Sequence, residues 1–529
     1  MEIIAIIAKK DSITFELNES LENRQVIIRE FVPLLEEEFI TDTDKEMIHY
    51  ENKRIIIPRF IKQRDRICSR FELWLEKERL EGGCYVTDLE EVAPRTYEYP
   101  KLETIKALGC EGEDMQILGI KQGHVNINLP AMLTLNPAGE DIPFECNGTT
   151  YYFKKERVEE LDQYMISTYS YGAVVTAILL NAPKLFDSNK EEALLKKVIH
   201  PGYDWNSKST YISAFPMQTS EGQEFYKAFV EFLAERYTRE DAKYGRMCGM
   251  IISNEVNSQY IWGNAGEMPV SEYSKEYTTA MRLAWLSARK YYKNFRIYVS
   301  LDHLWNLTFD TQYPNRYYKG RDIIDFINHY SKTEGDFDWN VAYHPYPENL
   351  MYPDFYNDRS TTFDFSTLRI TFKNIEMLPA YLSQKNYLYR GCPRRIILSE
   401  QGFNSKGDSF SEKQGAAAYC LAYQKVKKED TIDMMTHHAY VDNPYEFGLN
   451  LGIRRRNEDG SIGEPKPIYY VMRDMDTEFE EQRVAEARSF IGEELFDALL
   501  NPSITYGEPD NSKASEFQES NVEDDGITR

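Results

Sequence analysis

The chain has 529 residues, 42% of them hydrophobic and 13% aromatic, which is enough apolar surface for a large core and excludes disorder over most of its length. Its formal net charge of −24, with no run of Lys or Arg to offset it, disfavours nucleic acid and anionic membrane as partners and suits a neutral or cationic substrate. Seven scattered cysteines, with no CxxC pair or Cys/His cluster, point to neither a disulfide framework nor a structural zinc site.

The amino end, MEIIAIIAKKDSITFELNES, carries a short apolar patch led by Glu2, with no basic stretch before it and no small-residue cleavage site. It reads as a strand rather than a signal peptide, and no apolar run approaches about 18 residues, so a cytoplasmic location is expected. Residues 1–98 alternate short extended runs with charged turns, as in "KRIIIPRF" and "RICSRFELWL", and read as a small β-rich accessory region. From about residue 100 strand-like runs alternate with helical patterns. The strand candidates fall at 103–108, 124–130, 172–181, 247–255, 295–303, 339–346, 394–402 and 431–440. Segments such as "EGQEFYKAFVEFLAERY" and "KQGAAAYCLAYQKVKK" lie between them with apolar spacing near 3.6.

Eight short apolar runs alternating with helices suit an α/β fold, a (β/α)8 TIM barrel over 99–478, because strands covered on both faces lose their polar alternation. "PIYYVMRDM" at 467–475 supplies the closing helix. One further helix is expected over 479–502, and the acidic polar stretch 503–529 reads as a disordered tail.

A parallel barrel carries its active site at the carboxyl ends of the strands. The fourth run, "MCGMIISNE", breaks abruptly into Asn254-Glu255, and the seventh ends on Ser399-Glu400-Gln401-Gly402. Three strands apart around an eight-membered ring, Glu255 and Glu400 face each other across the mouth. A protonated and an ionised carboxyl so opposed are the minimum apparatus for cleaving a glycosidic bond. Gly402 permits a tight turn after the second one. Tyr343, His344 and Tyr346 end strand six, and His437 and His438 end strand eight. Asp302, His303 and Trp305 follow strand five, and "HPGYDWN" after strand three holds His200, Asp204 and Trp205. These residues and Trp262 are candidate pocket walls, the tryptophans as stacking faces for sugar rings. Alternation turns one of His437 and His438 inward and the other into the helix layer.

These motifs resemble clan A, the 4/7 superfamily of retaining (β/α)8 glycoside hydrolases, over about 100–475. "ISNEVNSQYIWGN", "YHPYP", "LSEQGFNS" and "HHAYVDN" look like a bacterial family of such glycosidases with unassigned substrates. The resemblance implies Glu255 as general acid/base, Glu400 as nucleophile and Asn254 as a ligand of the sugar 2-hydroxyl. It also implies a hydroxyl from Tyr343 or Tyr346 that orients the nucleophile. A Trp common in the clan after strand eight is replaced here by His437-His438. An oligosaccharide or glycoside substrate is expected, with no cofactor or metal, and short imported oligosaccharides are favoured over intact polysaccharide. The oligomeric state stays open. Two other readings compete: a sugar-binding pseudo-enzyme, and a metal-dependent hydrolase using Asp302, His303, His344 and His437.

Overall fold

The structure is a computed structural model and describes residues 1–21, 24–35, 37–110, 112–185 and 191–504. The tail expected from 503 lies, from position 505 on, outside the described residues.

The amino-terminal region forms two packed sheets. One runs 81–82, 2–8, 12–17, 54–58, 49–51 in spatial order, and the other 78–79, 70–75, 26–31, 39–42. The alternation of Val26–Phe31, buried at every second position, sends one face into a core shared by Ile6, Phe15, Ile28, Ile55, Phe71 and Leu73. Phe15 and Phe71 meet edge-to-face at 5.4 Å between the sheets. Glu30 is buried among them. It accepts from Arg66 Nε (3.0 Å), Ser69 Oγ (2.6 Å) and Arg64, which outweigh burial and hold its carboxyl below the usual range.

Eight parallel strands then close a barrel. They are β1 (Lys106–Leu108), β2 (Gln122–Asn128), β3 (Val174–Leu180), β4 (Met247–Ile252), β5 (Arg296–Asp302), β6 (Trp339–His344), β7 (Ile396–Leu398) and β8 (Ile432–His437). Each expected strand is present, the first and seventh shortened to three residues, and the first is joined to β8 by Ala107↔Thr436 and to β2 by Ala107↔Gln122. The strands are apolar because both faces are covered: every residue of β3, β4 and β6 is buried. Ala107, Ile178, Ile251, Tyr298, Ala342, Ile397 and Met434 fill the lumen, so the barrel is a packed core rather than a pore.

The covering helices are α1 (Glu113–Ile117), α2 (Lys155–Ser170), α3 (Ser220–Tyr237), α4 (Val270–Arg289), α5 (Gly320–Glu334), α6 (Met377–Leu382), α7 (Ser409–Val426) and α8 (Pro467–Asp474). Between β2 and α2 the chain inserts a three-stranded sheet, ordered 133–134, 149–153, 142–146, that sequence patterning left unassigned. It docks on α3 through Phe153, stacked on Phe232 at 3.8 Å.

The single helix expected over 479–502 is two, α9 (Glu480–Ile491) and α10 (Glu493–Leu500). Gly492 breaks it at φ 105°, a conformation closed to a helix and open to glycine. Cys68, Cys84, Cys146, Cys248, Cys392 and Cys420 are free thiols, and among the described residues no helix is long and apolar enough to cross a membrane.

A buried cation ties the carboxy-terminal helices to the barrel. Lys425 on α7, its side chain fully buried, donates to Glu376 and to the Leu499 carbonyl of α10 at 2.6 Å. Removing the cation alone strands a buried carboxylate. Lys425→Met is therefore expected to cost about 3–5 kcal/mol in urea unfolding, and adding Glu376→Leu to recover most of it. A loss under about 1 kcal/mol for the single variant would show that Glu376 is solvated.

Candidate active site

The turn after β4 is held by hydrogen bonds that begin inside the strand. Ser253 (φ 65°) and Glu255 (φ 37°) both take the left-handed conformation, which costs a non-glycine residue about 1–2 kcal/mol. The surroundings over-determine them. Ser253 Oγ donates to the Trp262 carbonyl at 2.9 Å, and the Glu255 amide donates to Ser300 Oγ at 3.0 Å. Asp302, at the end of β5, accepts from Asn257 Nδ2 (2.6 Å), Ser258 Oγ (2.9 Å) and the Leu304 amide (2.7 Å), pinning the turn to the next strand. A strand that runs into Ser-Asn-Glu thus ends on a rigid pedestal, with Glu255 aimed over the mouth.

At the end of β7, Gly402 serves close approach rather than a turn of special handedness. A Cβ there would lie 2.3 Å from the His438 carbonyl. The strand ends are joined further by the His438 amide, which donates to the Gln401 carbonyl at 2.7 Å.

His344 ends β6 between the two carboxyl-bearing strands. Its Nδ1 lies 2.8 Å from Glu255 Oε1 and its Nε2 3.1 Å from Ser399 Oγ. Tyr346 Oη donates to Glu400 Oε1 at 3.1 Å, and its ring packs against Leu449 and Leu451 of the β8 loop. Asn404 ties this wall together, donating to the Met351 carbonyl at 3.0 Å and accepting from the Asn450 amide at 2.7 Å.

The electrostatics separate the two acids. Burial raises Glu255 to about 7; the hydrogen bond and charge of His344 oppose this, and Asp302 and Glu400 add to it. Burial would also raise Glu400, but His344, His438, the Tyr346 hydrogen bond and His124 outweigh it and leave that carboxyl below the usual range. The Glu400 charge thus adds to the rise of Glu255, and the two carboxyls are displaced in opposite directions, which favours a proton on Glu255 and a charge on Glu400. For His344, burial works against a charge, yet Glu400, Glu255 and Asp302 hold its pKa above the usual value.

The other candidates divide by the side of the barrel wall on which they fall. Asn254 is half-buried next to Glu255. His303 sits within electrostatic reach of His344 and Arg369, and burial keeps it neutral. Trp262 is half-buried and stacked on Tyr211 (5.2 Å), and Trp205, 51% exposed, meets Tyr203 edge-on. His438 points inward and pairs with Glu446 at 3.2 Å.

Five expectations are corrected. Tyr343, one residue out of phase with His344, is fully buried in the layer between barrel and helices, so Tyr346 alone of the two reaches Glu400. His437 likewise faces outward, donating to the Leu451 carbonyl (2.9 Å) beside Phe403 and Tyr419. Trp305 packs against Tyr381 in the helix layer and is no sugar platform. His200 is buried against Glu276 of α4, 2.7 Å away, and braces its loop. Asp204 is spent on that same loop, accepting from Tyr260 Oη (2.6 Å) and the amides of Asn206 and Ser207.

Sequence reasoning passed over Ser399, Glu446 and His124 as site residues. For His124 the signal was present: it sits on β2 in phase with Gln122, whose side chain turns inward to the Asp433 carbonyl (2.7 Å). Among the described residues no group of three or more His, Cys, Asp and Glu is arranged to hold a metal ion.

Ionising a buried Glu255 weakens the fold, with a definite sign. Its pKa is raised on folding, so its contribution is fully present below about pH 4.5 and is lost as pH rises through about 7. Glu255→Gln should match the wild type in urea unfolding at pH 4 and exceed it by roughly 1–3 kcal/mol at pH 8.5. Equal stability at both pH values would place Glu255 in water.

Residues 98–499 match the model of a family described as a family of unknown function (DUF5722). No curated protein matches the chain. Among solved structures it is similar to a family 39 glycoside hydrolase from the gut symbiont Bacteroides cellulosilyticus WH2, at 12% identity and a TM-score of 0.42 over 90% of this chain and 83% of that one. It is also similar to a hyperthermophilic β-glucosidase from Pyrococcus furiosus, at 16% identity and TM-score 0.42, covering 74% and 86%. A β-glucosidase from Thermotoga maritima in complex with deoxynojirimycin matches at 11% identity and TM-score 0.42, covering 70% and 86%.

Proposed function

We propose that this chain, which belongs to the family of unknown function DUF5722, is a retaining glycoside hydrolase acting on oligosaccharides or glycosides. The reading is carried by one observation: two strand-end carboxyls lie within electrostatic reach of one buried imidazole, His344, and their pKa values are displaced in opposite directions. In the first step Glu400, ionised and oriented by Tyr346, attacks the anomeric carbon while Glu255 gives its proton to the departing glycosidic oxygen. In the second, Glu255, now ionised, takes a proton from water, which attacks the same carbon and expels Glu400. His344 steadies Glu255 through both steps, since its ring can hydrogen-bond the acid in either protonation state. Asn254, half-buried beside the acid, is the ligand for the sugar 2-hydroxyl.

The rival readings fare less well on the same side chains. A metal site on Asp302 or His437 would compete with hydrogen bonds those groups already make to Asn257, Ser258, Leu304 and Leu451. A pure sugar-binding barrel has no use for a strained left-handed Glu255 or for a protonated acid beside an ionised one.

For Glu255→Ala, hydrolysis of an aryl glycoside with a poor leaving group should fall about 10²–10⁴-fold in kcat/KM. A dinitrophenyl glycoside should suffer far less, and azide should restore turnover as the glycosyl azide. Equal losses on both substrates without rescue would remove Glu255 from the acid's role.

The pH profile makes an independent check. With the poor leaving group, kcat/KM should decline above about pH 7 as Glu255 loses its proton, and on the acid side only below the normal carboxylate range, where Glu400 becomes protonated. The dinitrophenyl substrate should keep its rate on the alkaline side. A flat profile to pH 9 for both would contradict the assignment.

A further inference from the structure

Beside the nucleophile lies a cluster that the two-step chemistry does not use. His438 Nε2 is 3.2 Å from Glu446 Oε1, and Asn443 Nδ2 donates to Glu446 Oε2 at 2.9 Å. Glu446 sits at the tip of the loop after β8. Its neighbours Tyr445 and Phe447 are 88% and 66% exposed, and Phe447 is left-handed at φ 51°. A loop tip with no core of its own, bent so that one carboxylate turns inward, is shaped around that carboxylate.

His124 approaches from β2. The charged groups acting on it are His438, Glu400 and His344, and those acting on His438 are Glu446 and Glu400. Burial keeps His124 neutral, near 4, while Glu446 and Glu400 outweigh burial and raise His438. The Nδ1 of His124 is buried and has no hydrogen-bond partner among the described residues. A buried nitrogen without a partner, on a ring that the Glu400 charge reaches, is unsatisfied until something polar arrives.

We infer that His124, His438 and Glu446 form a glycone-recognition cluster that reads adjacent hydroxyl groups of an uncharged sugar. The inference rests on the glycosidase reading above. Adjacent hydroxyls present a donor and an acceptor side by side. The carboxylate oxygens of Glu446 each keep a free lone pair for the donor, and the imidazoles offer N–H groups or a ring nitrogen to the second oxygen. Among the described residues no Lys or Arg charge acts on either histidine, so a sugar carboxylate would confront Glu400 and Glu446 with only the engaged His438 and the neutral His124 to meet it. The cluster therefore selects against uronic acids by leaving their charge unpaired.

The full chain is assayed with nitrophenyl glycosides of neutral sugars, their monodeoxy analogues and the corresponding uronides. In the wild type, removing one recognised hydroxyl should lower kcat/KM roughly 10–100-fold, and uronides should be slower still. In Glu446→Gln the parent substrate should fall by a similar factor while the matching deoxy substrate changes less than about threefold, so that the hydroxyl penalty disappears. His124→Asn supplies a second variant, expected to erase the penalty for a different hydroxyl. Urea unfolding of both variants establishes that they are folded. Deoxy penalties equal in wild type and both variants, or uronides preferred by the wild type, would overturn the cluster. If the wild type cleaves no glycoside at all, the glycosidase reading falls and takes the cluster with it, whereas cleavage with unchanged penalties sinks the cluster alone.

Discussion

The withdrawal of Glu255 from water, answered by one imidazole, is the constraint on which the rest of the mouth depends. Burial holds the Glu255 carboxyl up even against the hydrogen bond and charge of His344, itself buried and shared with Ser399. Had a guanidinium stood there, the acid would ionise and the distinction from Glu400 would vanish. Glu400 is favoured in its charged form by a phenol hydroxyl and a ring of imidazoles. What surrounds each of two chemically identical groups thus displaces their titrations in opposite directions.

That arrangement asks for positional accuracy, and the backbone supplies it at a cost. Ser253 and Glu255 lie in a region that side chains disfavour, and they are kept there by Ser300, by the Trp262 carbonyl and by the Asp302 anchor. Across the barrel the devices differ: Gly402 admits the His438 carbonyl, and Asn404 joins three loops through its two amide atoms. Strain and hydrogen bonding fix the backbone on one side, and close packing fixes it on the other.

Much of this was legible in the residues, and the failures are instructive. Short apolar runs alternating with helical patterns marked the strands, so β1 to β8 and both glutamates could be located from one sequence. Period-two alternation also contained the answer for Tyr343 against Tyr346 and for His437 against His438, but only once one residue on each strand had been assigned a face. Trp305 misled because the chain turns back into the helix layer immediately after Asp302, where an aromatic packs as readily as at a mouth. The partners of His200 and Asp204, Glu276 and Tyr260, are tertiary neighbours that no local pattern announces. Glu446 was invisible because its loop follows no periodicity at all. The helix break at Gly492 could have been read from the glycine itself.

The β-rich amino-terminal sheets lie outside the matched family segment, which starts at residue 98, yet they are fastened to the acid's side of the barrel. Asp65 meets Lys290 at 3.3 Å, Tyr85 lies under Arg282 of α4, and Gln223 of α3 donates to the Pro33 carbonyl at 2.7 Å. A barrel without these sheets would leave several of its helix side chains short of partners. Lys290 would have lost one of its two carboxylates, Arg282 its aromatic cover and Gln223 an acceptor, all on the helices that back β3 and β4. The two parts are therefore physically coupled: a change in the sheets is felt by the helices that back the strand carrying Glu255.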